Sequence, residues 1–345
     1  MHLTDKISTV RHYLAEKKIT AILIPRADEY LGEYVPEHNE RLAWISGFTG
    51  SAGMLIITMD KAVLFVDGRY TIQVQQQCSA DLFEFEHLID NPPLRWLSDH
   101  LSAGDAVGFD SRLHNYQFYE HAHEQLAVKS IQLIELTENP IDLNWTDRPY
   151  ADIEVARLLE EKFTGENSLD KRKRIGQKIG QLGADAALIS QLDSIAWLLN
   201  IRGNDVPHLP VIMGSAILYQ SGEMVFCTDL RKIPDDFGDH VGPGVETLAE
   251  DTFEEFIQIL GRENQKVIID GNNSNTYAVL RCIEQQCEII AGTDPVLLPK
   301  AQKNDAELEG MRQCHIRDGS AVSRYLHWIE TEVAASRFHD EGFLS

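Results

Sequence analysis

An internal repeat constrains the fold of this chain more than any other feature of its sequence. The segment ERLAWISGFTG, which begins at residue 40, aligns with DSIAWLLNIRG, which begins at residue 193. This alignment pairs Trp44 with Trp197 and Gly50 with Gly203. Self-similarity over so long a spacing indicates that a whole structural unit has been duplicated.

The flanks of the repeat match in the same order. Upstream, an amphipathic helix leads into the strand AILIP in the first copy and AALIS in the second. Downstream, AVLFVDGR matches MVFCTDLR, which pairs Asp67 with Asp229 and Arg69 with Arg231. Each copy then closes with a second helix and a strand ending in aspartate, AVGFD or KVIID. The sequence therefore predicts an α/β fold with two tandem domains, each a mixed sheet flanked by helices.

Two interruptions of these patterns predict the domain boundaries. The first lies in NWTDRPYADIEV, where Pro149 and a turn-prone Thr-Asp pair break the periodicity. The second lies in DPVLLPKAQKND. We therefore predict one domain over residues 1–148, a second over residues 149–300, and a separate segment over residues 301–345.

The C-terminal segment begins as a long helix. Asn304 and Glu307 have the spacing of a capping box, although Asn replaces the usual Ser or Thr. A broad apolar face then follows along the helix, made by Leu308, Met311, Val322, Tyr325, Leu326 and Ile329. Such a face must pack on something, yet only about sixteen residues remain after it, too few for a domain. We expect that this helix opens a third domain that is truncated here.

Charge and composition exclude several classes of partner. The chain has 31 Lys and Arg against 54 Asp and Glu, a net charge of -23, which disfavours binding to nucleic acid. No apolar stretch reaches membrane-spanning length, and the start MHLTDKISTV does not resemble a signal peptide. The 5 cysteines are scattered without a C-x-x-C pair, which predicts reduced thiols. We expect a cytoplasmic protein that contacts neither nucleic acid nor membrane.

Motifs of common catalytic chemistry are missing. The glycines of GFTGSAG have the wrong spacing for a dinucleotide fingerprint and precede a β-like segment instead of a helix. Ser51 lies in TGSAG, which lacks the first glycine of a nucleophile elbow. His121 and His123 fall on different sides of a helix, so we expect solvated surface histidines instead of a shared metal.

The second copy contains a loop, RGNDVPHLPV, that brings Arg202, Asp205 and His208 close in sequence. Asp and His near one another could bind a metal or act as acid and base. However, Pro207 and Pro210 make the loop rigid, and charged loop residues more often bond local backbone groups. We favour this structural interpretation and keep a binding loop as the alternative.

The segment VDGRY also has two interpretations. Asp-Gly between apolar runs is a hairpin signal, whereas Asp67 could instead cap a helix RYTIQVQQQ. The second copy favours a strand-to-helix corner, because TDLRKIPDDF lacks the glycine and a following strand. Arg69 would then lie in the first helical turn, where a cation opposes the helix dipole. Either a local ion pair with Asp67 or a binding role would account for it.

Together these motifs resemble aminopeptidase P, the Xaa-Pro aminopeptidase branch of the pita-bread metallopeptidases, in its three-domain cytosolic form. EYVPEHNERLAWISGFTGSAG, VDGRY and WTDRP are similar to the first creatinase-type domain of that family. LDSIAWLLNIRGNDVPHLPV is similar to the second, and KAQKNDAELEGMRQCHIRDGSAV to the first helix of the catalytic domain.

The resemblance implies removal of an N-terminal residue that precedes proline, from a peptide with proline at its second position. Two divalent metal ions, typically manganese, hold the attacking hydroxide in that family. Their ligands belong to the pita-bread domain, so we predict no catalytic residue, no metal ligand and no activity for this chain alone. The match of VDGRY places the family's peptide-contacting arginine on Arg69. The full-length form could be a homodimer.

Two alternatives remain open. Pita-bread relatives in histone chaperones have lost their metals and bind basic proteins, so this chain could be a non-catalytic interaction module, which its charge of -23 permits. VDGRY and the two-domain arrangement favour the peptidase. A creatinase-like hydrolase without metal is disfavoured, because that group has one N-terminal domain.

Overall fold

Two six-stranded mixed sheets with the same strand order form the body of the molecule. The computed structural model describes residues 2–151 and 153–344. A two-stranded sheet accompanies the second large sheet. The predicted pair of α/β domains is therefore confirmed.

The first domain is built around one of these sheets. Its helices and strands are α1 (Leu3–Lys17), β1 (Ala21–Pro25), α2 (Arg41–Ser46), β2 (Gly53–Thr58), β3 (Ala62–Val66), α3 (Thr71–Gln77), β4 (Glu84–His87), α4 (Pro93–His100), β5 (Ala106–Phe109), α5 (Tyr116–Val128) and β6 (Gln132–Glu135). In space the strands lie in the order β4-β3-β2-β1-β5-β6. Strand β1 is antiparallel to β2 and parallel to β5, so the sheet changes direction at its centre.

The second domain repeats this arrangement. Its helices and strands are β7 (Arg157–Leu158), α6 (Glu161–Thr164), α7 (Ser168–Gln181), β8 (Ala186–Ile189), α8 (Leu192–Leu199), β9 (Ile201–Arg202), β10 (Gly214–Tyr219), β11 (Met224–Thr228), α9 (Phe237–Val241), β12 (Val245–Ala249), α10 (Phe253–Arg262), β13 (Lys266–Ile269), α11 (Thr276–Glu284) and β14 (Glu288–Ala291). The spatial order is β12-β11-β10-β8-β13-β14. Strand β8 takes the place of β1, antiparallel to β10 and parallel to β13. The small sheet pairs β7 with β9.

Burial of both sheet faces explains why the central strands are apolar throughout. All residues of β1 and β3 are buried. Successive side chains point to opposite faces, so Ile22 and Ile24 join one apolar cluster while Ala21 and Leu23 join another. Helices cover both faces, as the nearly continuous apolar runs require.

A lysine in each domain repeats the same contact with the paired tryptophans. Lys6 Nζ donates to the backbone oxygen of Trp44 at 2.6 Å, and Lys171 Nζ to that of Trp197 at 3.1 Å. Each ammonium also lies 4.2 Å from the centre of its indole ring. The duplication therefore extends to individual side-chain contacts around the helix that carries each tryptophan.

Equivalent segments of the two domains meet at a joint between them. Asn115 and Asn275, which precede α5 and α11, pair as an isolated antiparallel bridge. Thr276 donates from its backbone nitrogen and its hydroxyl to the backbone oxygen of His114, at 2.8 and 2.9 Å. Because corresponding segments pair antiparallel, the joint has approximate two-fold symmetry.

Three further helices follow the second domain: α12 (Leu297–Ala301), α13 (Asp305–Ala334) and α14 (Glu341–Leu344). The predicted capping box of α13 is present, with Asn304 and Glu307 bonded reciprocally. Asn304 also donates to the backbone oxygen of Thr164 at 2.8 Å, which ties the helix to the second domain. Along α13, all of which the structure describes, no residue is buried. Five of the six residues of the predicted apolar face are exposed, and Ile329 is half-buried.

Two observations bear on the predictions from composition. In residues 2–151 and 153–344, none of the helices combines the length and apolarity needed to cross a membrane. All 5 cysteines are free; Cys314 is partly exposed and the others are buried.

Candidate functional site

Arg69 lies at a corner between strand β3 and helix α3. The strand ends at Val66 and the helix begins at Thr71. This confirms the predicted strand-to-helix corner and excludes the alternative of a β-hairpin at this position. The predicted helix start is wrong by two residues. Tyr70 is the N-cap of α3, which leaves Arg69 before the helix instead of in its first turn.

Asp67 holds one side of the Arg69 guanidinium. Arg69 donates from Nε to both carboxylate oxygens, at 3.2 and 3.1 Å, and from Nη2 to Oδ2 at 2.7 Å. The Arg69 backbone nitrogen also donates to Asp67, at 2.9 Å. Hydrogen bonds from Arg69 lower the pKa of Asp67. The arginine side chain is still 63% exposed, and within the described chain its Nη1 has no hydrogen-bond or ion-pair partner.

The glycine-rich loop supports this corner through Tyr70. The Tyr70 hydroxyl lies 2.7 Å from Ser51 Oγ, and its ring meets Phe48 edge-on at 5.6 Å between centroids. A Cβ at Gly50 would lie 2.2 Å from the Phe48 ring and 2.9 Å from the Tyr70 ring, so only glycine fits there. The Arg69 guanidinium in turn lies 5.2 Å from the centre of the Tyr70 ring. Loop, tyrosine and arginine therefore form one packed unit, here called the Arg69 corner.

A hydrogen bond and a nearby charge change the acidity of Tyr70. The hydrogen bond from Ser51 is the main cause that lowers its pKa, and the positive charge of Arg69 adds to the effect. No sequence pattern identified Tyr70 or Ser51 as partners of Arg69. The glycine spacing of GFTGSAG was the available signal, because such a loop permits close approach to a ring.

The second domain has the arginine but lacks its support. Arg231 pairs with Asp229 through the same contacts, with Nη2 2.6 Å from Oδ2, and its side chain is 70% exposed. The next residue is Lys232 instead of tyrosine, and it turns inward to an ion pair with Asp205 at 2.5 Å. Arg231 is thus a natural internal control for Arg69.

The three residues of the loop from 202 to 211 are not brought together. Asp205 is 3% exposed in its side chain, and it also accepts from the Met213 backbone nitrogen at 2.7 Å. His208 packs edge-on against Tyr34 of the first domain, 5.4 Å between ring centroids. Arg202 donates to backbone oxygens and lines a separate cavity. These contacts agree with the structural interpretation for Asp205, and the binding loop as a unit of three residues remains a prediction.

A buried ion network lies behind the loop that precedes α2. Arg41 is 1% exposed in its side chain and binds Glu29 at 2.6 Å and Asp142 at 2.7 Å. Burial is the main cause that raises the pKa of nearby Asp28 to about 6, and the charge of Glu29 adds to it. The sequence gives no sign of this network, because a buried arginine has no distinct local pattern.

A cleft of about 850 Å³ lies between the domains. Charged residues line it, among them Glu29, Arg112, Asp229, Arg231 and Glu250. Most of these charges are already paired within the protein, as Arg112 is with Asp110 at 2.7 Å. The lining holds five carboxylates against three Arg or Lys cations, so the cleft does not favour an anionic ligand.

Side chains that commonly ligate metals are scattered through the described part of the chain. Among residues 2–151 and 153–344, no three His, Cys, Asp or Glu side chains are grouped so that they could hold a metal ion. His121 and His123 are exposed on α5, as predicted for solvated histidines. The described residues therefore do not fit the metal pair that the family resemblance implies.

Comparison with protein families finds the same domain twice. The Creatinase/Prolidase N-terminal domain family matches residues 6–141 and, in a second form, residues 147–307. Each match contains one of the two large sheets. The duplication seen in the sequence and in the fold therefore corresponds to two copies of one known domain type.

Curated relatives and a solved structure extend the match along the chain. Xaa-Pro aminopeptidase 1 of Dictyostelium discoideum is 30% identical over 341 residues, covering 96% of this chain and 54% of that protein. A probable Xaa-Pro aminopeptidase P of Ajellomyces capsulatus is 32% identical over 346 residues, covering 96% of this chain and 56% of that protein. The chain thus spans little more than half the length of these relatives.

The structural match covers the whole chain. It is to the crystal structure of X-prolyl aminopeptidase from Caenorhabditis elegans, a cytosolic enzyme with a di-nuclear active site. The TM-score is 0.92 at 26% identity, and the match covers 100% of this chain and 58% of that one. Two creatinase/prolidase N-terminal domains in tandem, matched along their length by Xaa-Pro aminopeptidases, show that this chain belongs to the aminopeptidase P family of pita-bread metallopeptidases.

Proposed function

We propose that this chain is the N-terminal part of an aminopeptidase that removes an N-terminal residue preceding proline, and that Arg69 binds the peptide substrate. The Arg69 corner carries this proposal. Asp67 and Tyr70 hold the guanidinium from two sides, while the arginine side chain stays 63% exposed. A cation held in place in this way suits recognition better than a freely rotating one, because less conformational entropy is lost on binding.

The charge balance of the corner favours one kind of acceptor. Asp67 already balances the charge of Arg69 through two parallel hydrogen bonds. Nη1 still carries two N–H donors. A backbone carbonyl of a peptide could accept from Nη1 without adding an unbalanced negative charge. We therefore propose that Arg69 contacts a peptide carbonyl of a substrate with proline at its second position.

The role proposed for this chain involves no metal chemistry. The two divalent ions implied by the family, manganese by resemblance, find no suitable group of ligands in the described residues. We propose that this chain alone shapes substrate access and has no turnover. By analogy with the cytosolic relative from Caenorhabditis elegans, we also propose a cytoplasmic location. A homodimer of the full-length protein is compatible with this proposal.

Substitution of Arg69 in a full-length enzyme tests the proposal. Arg69→Ala should lower kcat/KM for an Xaa-Pro peptide by about ten- to a hundredfold, the scale of a lost charge-assisted hydrogen bond. The melting temperature should hardly change, because an exposed ion pair contributes little to stability. Steady-state kinetics and thermal unfolding of the same preparations provide both measurements.

Arg231→Ala is the matched control. It removes the same type of ion pair at the equivalent corner of the second domain, and it should leave kcat/KM unchanged. Equal losses of kcat/KM from the two substitutions would show that Arg69 has no specific role in substrate binding. The same conclusion would follow if Arg69→Ala lowered stability without a specific kinetic effect.

A non-catalytic module that binds basic proteins is the second candidate, and the net charge of -23 permits it. Binding of this kind should weaken steeply with salt, because it depends on long-range attraction between opposite charges. A full-length protein that binds histones in this salt-dependent way and cleaves no Xaa-Pro peptide would select this function.

A further inference from the structure

A cavity of about 450 Å³ lies apart from the Arg69 corner, where three parts of the chain meet. Residues 30–32 of the first domain form one side, the start of α8 and the loop from 209 to 211 form the floor, and the first turns of α13 close it. Its volume falls within the range of small-molecule sites.

The floor of this cavity is apolar. Leu192, Ala196 and Trp197 line it from α8, and Val211 lines it from the loop. Trp197 is 7% exposed, and its indole nitrogen donates to Glu307 Oε1 at 3.4 Å, which fixes the orientation of the ring. A floor of this kind favours an apolar side chain.

Arg202 supplies a positive charge at this floor without a carboxylate partner. Its Nη1 donates to the backbone oxygens of Ile201 at 2.7 Å and Ala196 at 3.3 Å. Within residues 2–151 and 153–344, no carboxylate lies within ion-pair distance of its guanidinium. In contrast, Arg69 and Arg231 each hold an aspartate. A half-buried, unpaired guanidinium favours an anion.

The acidic residues that line the cavity are already engaged. Asp193 is paired with Lys300 at 2.5 Å. Glu307 completes the capping box of α13 and accepts from Trp197. The lining therefore carries three cations, Arg202, Lys300 and Lys303, against two carboxylates, Asp193 and Glu307, whose charges act on Arg202 without reaching ion-pair distance.

Gln191 adds an unsatisfied hydrogen-bonding group. It lines the cavity at the N-terminus of α8, and its Oε1 is buried without a hydrogen-bond partner. A buried amide oxygen without a partner costs free energy that a donor on a ligand would recover. The cavity thus presents an apolar floor, an anion-binding cation and an acceptor for an N–H group.

We propose that this cavity binds the carboxyl-terminal residue of a short peptide with an apolar side chain. The terminal carboxylate pairs with Arg202, the side chain lies on the floor formed by Trp197 and Leu192, and the last amide N–H donates to Gln191. This inference does not rest on the proposed peptidase function, because it concerns binding in this chain alone.

N-acetyl-L-leucine is a suitable probe, since it carries a carboxylate, an amide N–H and an apolar side chain. N-acetyl-L-leucinamide lacks only the charge and serves as its control. Both would be titrated into the 345-residue chain while the Trp197 indole N–H is followed by NMR, with Trp197→Phe to assign that signal. Addition of the acid should shift the Trp197 indole N–H signal until the shift reaches a plateau, and the acid should bind at least about tenfold more tightly than the amide.

Leu209 offers a test that leaves Arg202 and its backbone contacts intact. Leu209 lines the cavity and is 37% exposed. Leu209→Glu should weaken binding of the acid by about tenfold through charge repulsion, whereas Leu209→Gln should change it by less than about twofold. Arg69→Ala should leave binding unchanged, which separates this site from the Arg69 corner.

Three results would overturn the proposal. The first is equal affinity for the acid and the amide, since Arg202 would then not select a carboxylate. The second is the absence of a saturable shift at Trp197. The third is an unchanged affinity in Leu209→Glu, which would place the probe elsewhere, for example on the exposed face of α13.

Discussion

His114 is buried at the joint between the domains, and this burial makes its protonation unfavourable. Its side chain stacks on Phe118, 4.8 Å between ring centroids, and its Nε2 has no hydrogen-bond partner in the described chain. Burial lowers the pKa of His114 to about 4 from an ordinary value of 6.5, against the opposing charge of Asp110. The imidazole is therefore neutral in the folded protein at physiological pH.

His114→Phe should reduce the loss of stability at mildly acidic pH. The unfolded chain takes up a proton near pH 6.5 while the folded chain does not, so stability falls as the pH drops from 6.5 toward 4. At pH 5.5 this cost is about 1.4 kcal/mol relative to neutral pH. Urea unfolding of the wild type and of His114→Phe at pH 7.5 and pH 5.5 measures the change in unfolding free energy between the two pH values.

His121→Gln is the control for this measurement, because His121 is exposed on α5. The control should keep the pH dependence of the wild type. An unchanged pH dependence in His114→Phe would show that His114 is protonated in the folded state near its ordinary pKa.

The hydrogen bond between Ser51 and Tyr70 should be measurable by itself. Ser51→Ala and Tyr70→Phe each remove one partner of the 2.7 Å contact and keep the packing of the ring. Each should lower the free energy of unfolding by about 1 kcal/mol, and the double variant should cost little more than either one. Additive losses in chemical denaturation would mean that the two side chains do not interact in solution.

At the scale of secondary structure, the equivalent N-cap residues Asn115 and Asn275 make different numbers of hydrogen bonds. Asn115 Oδ1 accepts from the Phe118 backbone nitrogen at 2.7 Å and caps α5. Asn275 Oδ1 caps α11 in the same way through Ala278 at 2.9 Å, and its Nδ2 also donates to the backbone oxygen of Glu29 at 2.8 Å. The second asparagine thus joins the domains as well as capping a helix.

The substitutions Asn115→Ala and Asn275→Ala should reflect this difference. Loss of a cap alone costs about 1 kcal/mol, so Asn115→Ala should show that value. Asn275→Ala should cost roughly another 1 kcal/mol for the interdomain hydrogen bond. Equal losses of unfolding free energy in the two variants would show that the bond to Glu29 contributes nothing.

Sequence periodicity was sufficient for elements whose signal is local. The strands around Leu23 and Leu64 are apolar runs that only a sheet buried on both faces can hold, and the repeat showed that they occur twice. Helix ends were less certain. Arg69 was placed inside α3, because a turn stabilised by Asp67 and a capped helix start have the same sequence signal.

At the scale of the whole molecule, contacts between distant segments could not be predicted. His114 meets Thr276, and Asn304 meets Thr164, over separations that no local pattern records. The cavity beside Arg202 arises only when the two domains and α13 come together. The fold class and the strand-to-helix corner at Arg69 therefore followed from sequence, whereas Tyr70, the joint and the cavity required coordinates.

The joint is polar, so we expect the contacts between the domains to break before either domain unfolds on heating. Besides the contacts of Thr276, Arg281 of the second domain binds Glu135 of the first at 2.7 Å. The large apolar clusters lie within single domains, apart from a few side chains such as Tyr30 that cross between them. Interfaces of this kind couple domains less strongly than a shared core does.

Thr276→Val combined with Arg281→Ala should uncouple the domains without unfolding either. Valine keeps the shape of the buried threonine and the backbone N–H bond to His114 but loses the hydroxyl bond, and alanine removes the ion pair with Glu135. Calorimetry should then resolve two unfolding transitions, because each domain has its own core and can unfold as an independent unit. Asn115→Ala is the control, because the Asn115 side chain caps a helix and makes no hydrogen bond across the joint. This variant should show the same number of transitions as the wild type. A single transition that merely shifts to lower temperature in the double variant would show that the domains are coupled by contacts other than these polar ones.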